Sequence, residues 1–242
     1  MICAPRDVVF RYFVDSERFA TWWGAGSTID AKVGGDVRIV YPNQVVVTGS
    51  VQQLEPDRRI VFTYGYQDEG KPIAPGDSLV TIELEDHVDG TLLKLRHDLR
   101  EQVARDQHVP GWRFQLAQFA NVVGREQQAD ANAHADAWFE AWFETDPERR
   151  AELLRSCASD DVTMQDGYAA VQGRDELSEH IAACQQHMSS ACMRRDGDVR
   201  ACQGTGLCNW EALDADGNKT SGGVNVLRFA PDGRIRGVVG IW

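Results

Sequence analysis

At 242 residues, the chain is long enough for one large domain or for two domains of about 120 residues each. A formal net charge of −12 opposes nucleic acid and anionic membranes as main partners, since both attract a basic face. No apolar run approaches the roughly 20 residues of a membrane span, and no secretory signal opens the sequence. The six cysteines lack zinc-ligand spacing, and because no export signal is seen we expect a cytoplasmic protein with reduced thiols.

The first half of the chain predicts an opening helix, an antiparallel sheet and a long closing helix. Residues 5–23, "PRDVVFRYFVDSERFATWW", are apolar on one broad face. Short runs rich in β-branched residues follow, separated by turn pairs such as Asp89-Gly90, which is a hairpin signal. In residues 111–127, "GWRFQLAQFANVVGREQ", the apolar side chains recur with the period of an amphipathic helix. The order of these elements predicts an α+β domain.

The second half of the chain begins with helices and ends with strands. Residues 124–135, "GREQQADANAHA", are polar and predict either a linker or a helical extension. Three helices are then expected: an aromatic one in residues 135–145, one with Pro147 in its first turn, and one over residues 175–188. Strands separated by Asp-Gly turns complete the half, which is again α+β with helices over a curved antiparallel sheet.

The motifs of the first half resemble the SRPBCC (START-like, Bet v 1-like) superfamily, in its Hsp90-ATPase-activator-homologue branch. The resemblance rests on "ICAPRDVVFRYFVDSERFATWWG", "GGDVRI", "TGSVQQLEPDRRIVFTY", "SLVTIELEDHVDGTLLKLRHD" and "GWRFQLAQFANVV", which together span residues 2–123. It implies a helix-grip domain over residues 1–126, with a curved sheet around the long helix and an apolar cavity inside. Only "MIC" precedes the "AP" pair, so either the first strand is shortened or the start lies upstream.

The motifs of the second half resemble the NTF2-like superfamily, in its SnoaL-like and ketosteroid-isomerase-like branch. They are the Trp-rich first helix, "CASDDVTMQDGYAAVQGRDELSEHI" and "GGVNVLRFAPDGRIRGVVGIW". The resemblance implies a cone-shaped α+β barrel over residues 133–242. It also implies a homodimer through the outer face of the sheet, where "LCNWEAL" and "VNVLRF" carry apolar residues on both faces.

Asp166 and Asn225 are the catalytic candidates that the second resemblance implies. In the isomerase pattern a strand ending in an acid supplies the general base, which matches Asp166 in "VTMQDGY". A protonated acid in the penultimate strand stabilises the enolate there, and the matching residue is Asn225, whose amide can also donate a hydrogen bond. The family's helix tyrosine has no match. Asp166 also fits a turn acid before Gly167, and Asn225 fits a buried structural amide, so both readings stay open.

Four aromatic residues are the candidates for ligand binding in the second half: Trp138, Trp142, Tyr168 and Trp210. Each indole is also a normal core residue, and Tyr168 can line a cavity mouth or face solvent. His180 follows Glu176 by four residues and favours a salt bridge on a helix face. In the first half, His97 is interpreted as a sheet residue rather than a ligand.

No Gly-rich phosphate loop, metal triad or nucleophile elbow occurs in the sequence, so we expect neither cofactor nor metal. The chain is therefore interpreted as two cavity-bearing domains that bind small hydrophobic or aromatic molecules. Proton transfer at Asp166 would make the second domain a cofactor-free isomerase, cyclase or hydratase. The alternatives are a ligand-binding or sensing module without catalysis and, from fold analogy alone, an Hsp90-type co-chaperone.

Overall fold

The computed structural model describes residues 1–68, 70–187 and 191–242. The chain divides into two compact units, Met1–Val123 and Gly124–Trp242. Each unit combines one sheet with helices, so the predicted α+β fold class is confirmed.

The first unit opens with two short helices where the sequence pattern predicts one. Helices α1 (Arg6–Arg11) and α2 (Ser16–Trp23) are separated at Asp15, whose carboxylate accepts hydrogen bonds from the Glu17 and Arg18 amides. An N-cap of this kind starts a new helix, because it satisfies amide groups that have no partner in the preceding turn. The apolar face is nevertheless buried as predicted, with Phe13 and Phe19 each 1% exposed.

The sheet of the first unit is a six-stranded antiparallel meander in which each strand pairs with its neighbour in sequence. Asp89-Gly90 closes its last hairpin as predicted, since His87 pairs with Gly90. Before the first helix, Ile2 forms a single bridge with Thr91. The strands are β1 (Thr28–Ile29), β2 (Asp36–Val40), β3 (Val46–Glu55), β4 (Arg59–Tyr66), β5 (Ser78–His87) and β6 (Gly90–Asp98).

A single long helix, α3 (Gln102–Gln127), follows this sheet and begins nine residues before the predicted segment. Its inward residues Phe119 and Val123 are fully buried in the core of the first unit. The Phe119 ring lies 5.0 Å from that of Phe13. A curved sheet that packs its apolar face on one long helix is the helix-grip arrangement that the resemblance implies.

The described residues of the second unit form three helices, α4 (Ala131–Ala141), α5 (Pro147–Cys157) and α6 (Arg174–Gln185). Pro147 begins α5 as predicted, and Asp146 caps that helix by accepting from the Glu148 and Arg149 amides. The third helix was expected to reach residue 188. It ends at Gln185, and residue 188 itself lies outside the described residues.

In the part of the second unit that the structure describes, seven strands form one sheet in the order β10-β11-β12-β13-β7-β8, with β9 paired to β11. All pairs are antiparallel except β13 with β7, which run parallel. Helices cover one face of this curved sheet, which gives the unit its cone shape. The strands are β7 (Ala158–Gln165), β8 (Ala170–Gln172), β9 (Cys192–Arg195), β10 (Arg200–Cys202), β11 (Thr205–Leu213), β12 (Lys219–Phe229) and β13 (Ile235–Ile241).

Among the described residues, no helix combines the length and the apolar character that crossing a bilayer requires.

Candidate functional site

The first unit contains a cavity of about 500 Å³ between α3 and the ends of its strands. Aromatic and polar side chains form its wall, which makes it more polar than the apolar cavity expected from the sequence. Its lining includes Tyr41, Tyr64, Tyr66, Lys71, His108, Gly111, Trp112 and Gln115.

His97 anchors one side of this wall through hydrogen bonds on both ring nitrogens. The Trp112 indole N–H donates to His97 Nδ1 at 3.1 Å, and His97 Nε2 lies 2.8 Å from the Ser78 hydroxyl, which donates to the Tyr64 carbonyl. An indole can only donate, so Nδ1 must accept and Nε2 carries the proton. Burial, followed by the neighbouring His108, lowers the pKa of His97 to about 4. His97 is a sheet residue, as interpreted, and it orients the cavity residue Trp112.

Three tyrosine hydroxyls lie along the cavity. Tyr66 Oη is 3.0 Å from His108 Nε2, and Tyr41 Oη is 2.9 Å from Tyr64 Oη. Burial raises the pKa of Tyr41 to about 12, and burial also raises the pKa of Tyr64 strongly. The phenols of Tyr41 and Tyr64 are therefore neutral and available as hydrogen-bonding groups. The three tyrosines were not predicted as site residues, because residues from two separate segments of the chain carry no common periodicity.

The second unit contains a cavity of about 400 Å³ over the inner face of its sheet. Helices α4 and α6 close it on the opposite side. All six residues that the sequence analysis selected line this cavity: Trp138, Trp142, Asp166, Tyr168, Trp210 and Asn225. Residues that it did not select include Met164, His180, Cys184, Met193, Ser221, Gly240 and Trp242.

Strand register places the polar and aromatic groups of the floor side by side. Asn225 pairs with Cys208 on one side and Gly240 on the other, and Trp210 pairs with Gly223. Because side chains alternate between the faces of a strand, Trp210 and Asn225 emerge on the same inner face.

Two glycines leave room for the Trp242 side chain over this floor. A Cβ atom at Gly223 would come within 2.7 Å of the Trp242 Cβ, and one at Gly240 would collide with the Trp242 ring. The Trp242 ring lies 5.8 Å from that of Trp210 and 6.4 Å from that of Tyr168, which is 89% exposed. Tyr168 and Trp242 thus form the outer rim of the cavity.

One buried donor on the floor has no hydrogen-bond partner within the described part of the chain. The Trp210 indole N–H is fully buried and unpaired. Asn225, which is 5% exposed, adds a side-chain amide to the same floor. An unmade buried hydrogen bond costs about 1–3 kcal/mol, so the Trp210 N–H is suited to a ligand that accepts hydrogen bonds.

Asp166 lies in the cavity wall and also closes its own turn. Its Oδ1 accepts from the Tyr168 amide at 2.7 Å and from the Ala169 amide at 2.8 Å, while the Asp166 amide donates to the Ala169 carbonyl. The carboxylate is therefore held in place by the turn that the sequence offered as the alternative to catalysis. Asp166 thus lines the cavity and closes the turn at the same time.

His180 and Cys184 are neighbours on the cavity face of α6, with 3.4 Å between Nε2 and Sγ. Burial, and then the nearby Asp166 charge, raises the pKa of the Cys184 thiol. A raised thiol pKa leaves little thiolate, so this pair does not have the character of an activated nucleophile. The salt bridge expected between His180 and Glu176 is replaced, since Glu176 accepts from the Gln172 amide instead.

Residues 3–124, half of the chain, match the family described as activator of Hsp90 ATPase homolog 1-like protein. The chain belongs to this family. The match covers the first unit, Met1–Val123. It confirms, for the first half of the chain, the branch expected from the sequence. No curated protein matches this Hsp90-activator-like chain.

Solved structures similar to this Hsp90-activator-like chain each align with about half of it. A SnoaL-like family protein from Agrobacterium tumefaciens is 24% identical over 48% of this chain and 96% of its own, with a TM-score of 0.42. An AHSA1-like protein from Rhizobium etli is 28% identical over 50% of this chain and 76% of its own, with a TM-score of 0.41. The Aha1 dimer from Colwellia psychrerythraea is 14% identical over 50% of this chain and 90% of its own, with a TM-score of 0.43.

Among the described residues, no group of three or more His, Cys, Asp or Glu side chains is arranged to hold a metal ion.

Proposed function

We propose that this protein binds a small hydrophobic or aromatic molecule in the cavity of its second unit. In this proposal residues 133–242 form an NTF2-like, SnoaL-like domain fused to a helix-grip domain of residues 1–126. The cone of helices over a curved sheet and the cavity above its inner face support the assignment.

The observation that carries the proposal is a buried, unpaired donor next to a buried amide in an aromatic cavity. Trp138, Trp142 and Trp242 offer flat apolar surface, while Trp210 and Asn225 offer N–H groups that a ligand acceptor would satisfy. Ligand pockets of about 300–1,000 Å³ with apolar walls and a few polar groups are typical of small-molecule sites. A planar molecule with a carbonyl oxygen fits this combination.

Calorimetry with 2-acetylnaphthalene on the full chain tests the proposal. We expect binding that Trp210→Phe and Asn225→Leu each weaken about tenfold, since each removes one hydrogen bond of roughly 1–1.5 kcal/mol. The control is Asn209→Leu, which changes an exposed amide on the outward face of β11. No binding, or equal affinity in all four proteins, would refute the proposal.

Proton transfer at Asp166 is the second candidate function, because this carboxylate lies in the same wall as the donor Asn225. Asp166→Asn separates the two functions: the amide oxygen can still accept the two turn hydrogen bonds but cannot take a proton. If the protein only binds its ligand, Asp166→Asn should leave the affinity unchanged, and neither protein should convert the ligand. Catalysis predicts unchanged affinity with a loss in turnover of about a hundredfold or more on a converted ligand.

We further propose that the protein forms a homodimer through the outer face of the second sheet. Leu207, Val226 and Val239 pair across three adjacent strands, and all three side chains point away from the cavity. Leu207 is 38% exposed in the single chain. An apolar row on an uncovered sheet face is a typical contact surface.

The Hsp90 co-chaperone role stays an alternative that rests on the family description. Stimulation of Hsp90 ATPase activity by the purified protein would establish it, and absence of stimulation at saturating concentration would exclude it.

A further inference from the structure

The cavity of the first unit is separate from the site proposed above, and its wall has a different chemistry. Among its described lining residues there are three tyrosines, one histidine, one tryptophan and one lysine, and no carboxylate. The whole chain has a net charge of −12, so a wall without acidic groups is unusual for this protein. Such a wall favours a ligand that is negatively charged or rich in hydrogen-bond acceptors.

The protons of this wall can be assigned from the partners that only donate or only accept. The His108 Nδ1 lies 2.7 Å from the Ala104 carbonyl, which can only accept, so Nδ1 donates. In the neutral ring Nε2 then accepts, so the Tyr66 hydroxyl donates the hydrogen bond between them. Together with the chain from Trp112 through His97 to Ser78, this uses the donors on the inner side of the cavity.

The Tyr41 hydroxyl is the outer end of a chain of hydroxyl groups. Tyr64, which is 1% exposed, hydrogen-bonds to Tyr41 at 2.9 Å and also to Tyr66. A phenol oxygen can accept one hydrogen bond while its O–H donates another. Tyr41, a half-buried residue of the cavity wall, can therefore accept from Tyr64 and turn its own O–H to a ligand.

Lys71 supplies the cation of this cavity. It is exposed, lines the cavity, and forms no ion pair with any residue that the structure describes. An ammonium group at the mouth of an aromatic pocket attracts an anion, and the pocket walls lower the dielectric constant around the pair.

Aromatic rings line the cavity behind these groups, at steep angles to one another. Tyr64 and Tyr66 meet edge to face at 5.7 Å, and Tyr64 lies 6.3 Å from Trp112. Rings held at such angles present both faces and edges to a planar ligand. A volume of about 500 Å³ accommodates a bicyclic molecule.

We propose that the first unit binds a planar aromatic carboxylate, with its ring against Tyr66 and Trp112 and its carboxylate at Tyr41 and Lys71. The site is independent of the cavity in the second unit and takes an anion rather than a neutral carbonyl compound.

The test is calorimetric titration of the full chain with 2-naphthoate and with 2-naphthamide, its neutral counterpart of similar shape. We expect 2-naphthoate to bind about tenfold more tightly. Tyr41→Phe should weaken 2-naphthoate binding about fivefold, since it removes the O–H that donates to the carboxylate. Lys71→Gln should remove the difference between the two probes, because it removes the charge that distinguishes them. Lys32→Gln, which removes an exposed charge elsewhere, is the matched control.

A variant that fills the cavity localises the binding. Gly111 lies in the cavity wall, and a Cβ atom there would meet nothing within 4 Å. Gly111→Phe therefore projects into open space and should abolish 2-naphthoate binding, while its circular dichroism and melting curve show an intact fold. Asn225→Leu, in the second unit, should leave the binding unchanged.

Three results would overturn the inference: no binding of 2-naphthoate, equal binding of acid and amide, or binding that survives Gly111→Phe but is lost in Asn225→Leu. The last result would place the ligand in the second cavity and leave the function proposed for that unit intact.

Discussion

His97 shows how one buried side chain organises a cavity. Its neutral ring accepts from Trp112 and faces the Ser78 hydroxyl, so both nitrogens are paired without a charge. Protonation would place a second N–H against the Trp112 N–H, and it would put a charge into a partly desolvated site. The neutral ring is therefore favoured both by its hydrogen bonds and by its burial, which is consistent with the low pKa of His97.

This arrangement predicts an acid-sensitive first unit. The pKa of His97 falls from its ordinary 6.5 to about 4 in the folded protein, so the unfolded chain binds the proton more readily between these values. The free energy of unfolding should therefore decrease as the pH falls from about 6.5 to 4 and change no further through this group below that range.

Urea unfolding across this pH range measures the effect. His97→Gln keeps a side-chain donor and acceptor but does not titrate, so its unfolding free energy should vary less between pH 6.5 and 4 than that of the wild type. Equal pH dependence in both proteins would contradict the assignment.

Individual site residues were predictable where a motif marked them. Asp166 and Asn225 stand at ends and faces of strands in a recognisable pattern, and the structure brings both to one cavity. The Tyr41, Tyr64 and His108 cluster had no such mark, because β-sheet folding joins residues that lie far apart in sequence. Trp242 was missed because its position depends on the space left by Gly223 in the neighbouring strand and by Gly240.

Helix α3 illustrates what periodicity can and cannot predict. The amphipathic run from Trp112 to Val123 lies in it as expected, yet the helix starts earlier and contains Pro110. Sequence rules place helix ends at a proline, but α3 continues through Pro110, which is an exposed residue. The opening segment differs in the opposite direction. One helix was predicted there, but the Asp15 cap divides its apolar face between two helices.

The end of α3 changes the expected linker. Residues 124–127 are helical and only residues 128–130 separate α3 from α4, so the helical extension replaces most of a flexible linker. We propose that the two units still fold independently. Limited subtilisin digestion should then cut first at residues 128–130, slowly, and leave two resistant halves of the chain. Mass spectrometry of the fragments checks the position, and earlier cleavage inside either unit would contradict independent folding.

At the scale of the whole molecule, the outward row of Leu207, Val226 and Val239 predicts assembly. Val226 lies in its middle, so Val226→Lys should place a charge at the centre of the contact. We expect light scattering to give twice the chain mass of 27.0 kDa for the wild type and the single mass for this variant. Val33→Lys, at an exposed valine of the first unit, is the control. A monomeric wild type at micromolar concentration would refute the dimer.

The two sheets also differ in when they can form during synthesis. In the first unit every strand pairs with one made just before or after it, so its sheet can grow as the chain emerges. In the second unit β13 lies between β12 and β7 and pairs Gly237 with Thr163, so the sheet has a gap until residues 235–241 are made. Until then β7 and β12 expose open edges, which attract strands of other chains. A ribosome paused before Ile235 would therefore hold a finished first unit and an aggregation-prone second one.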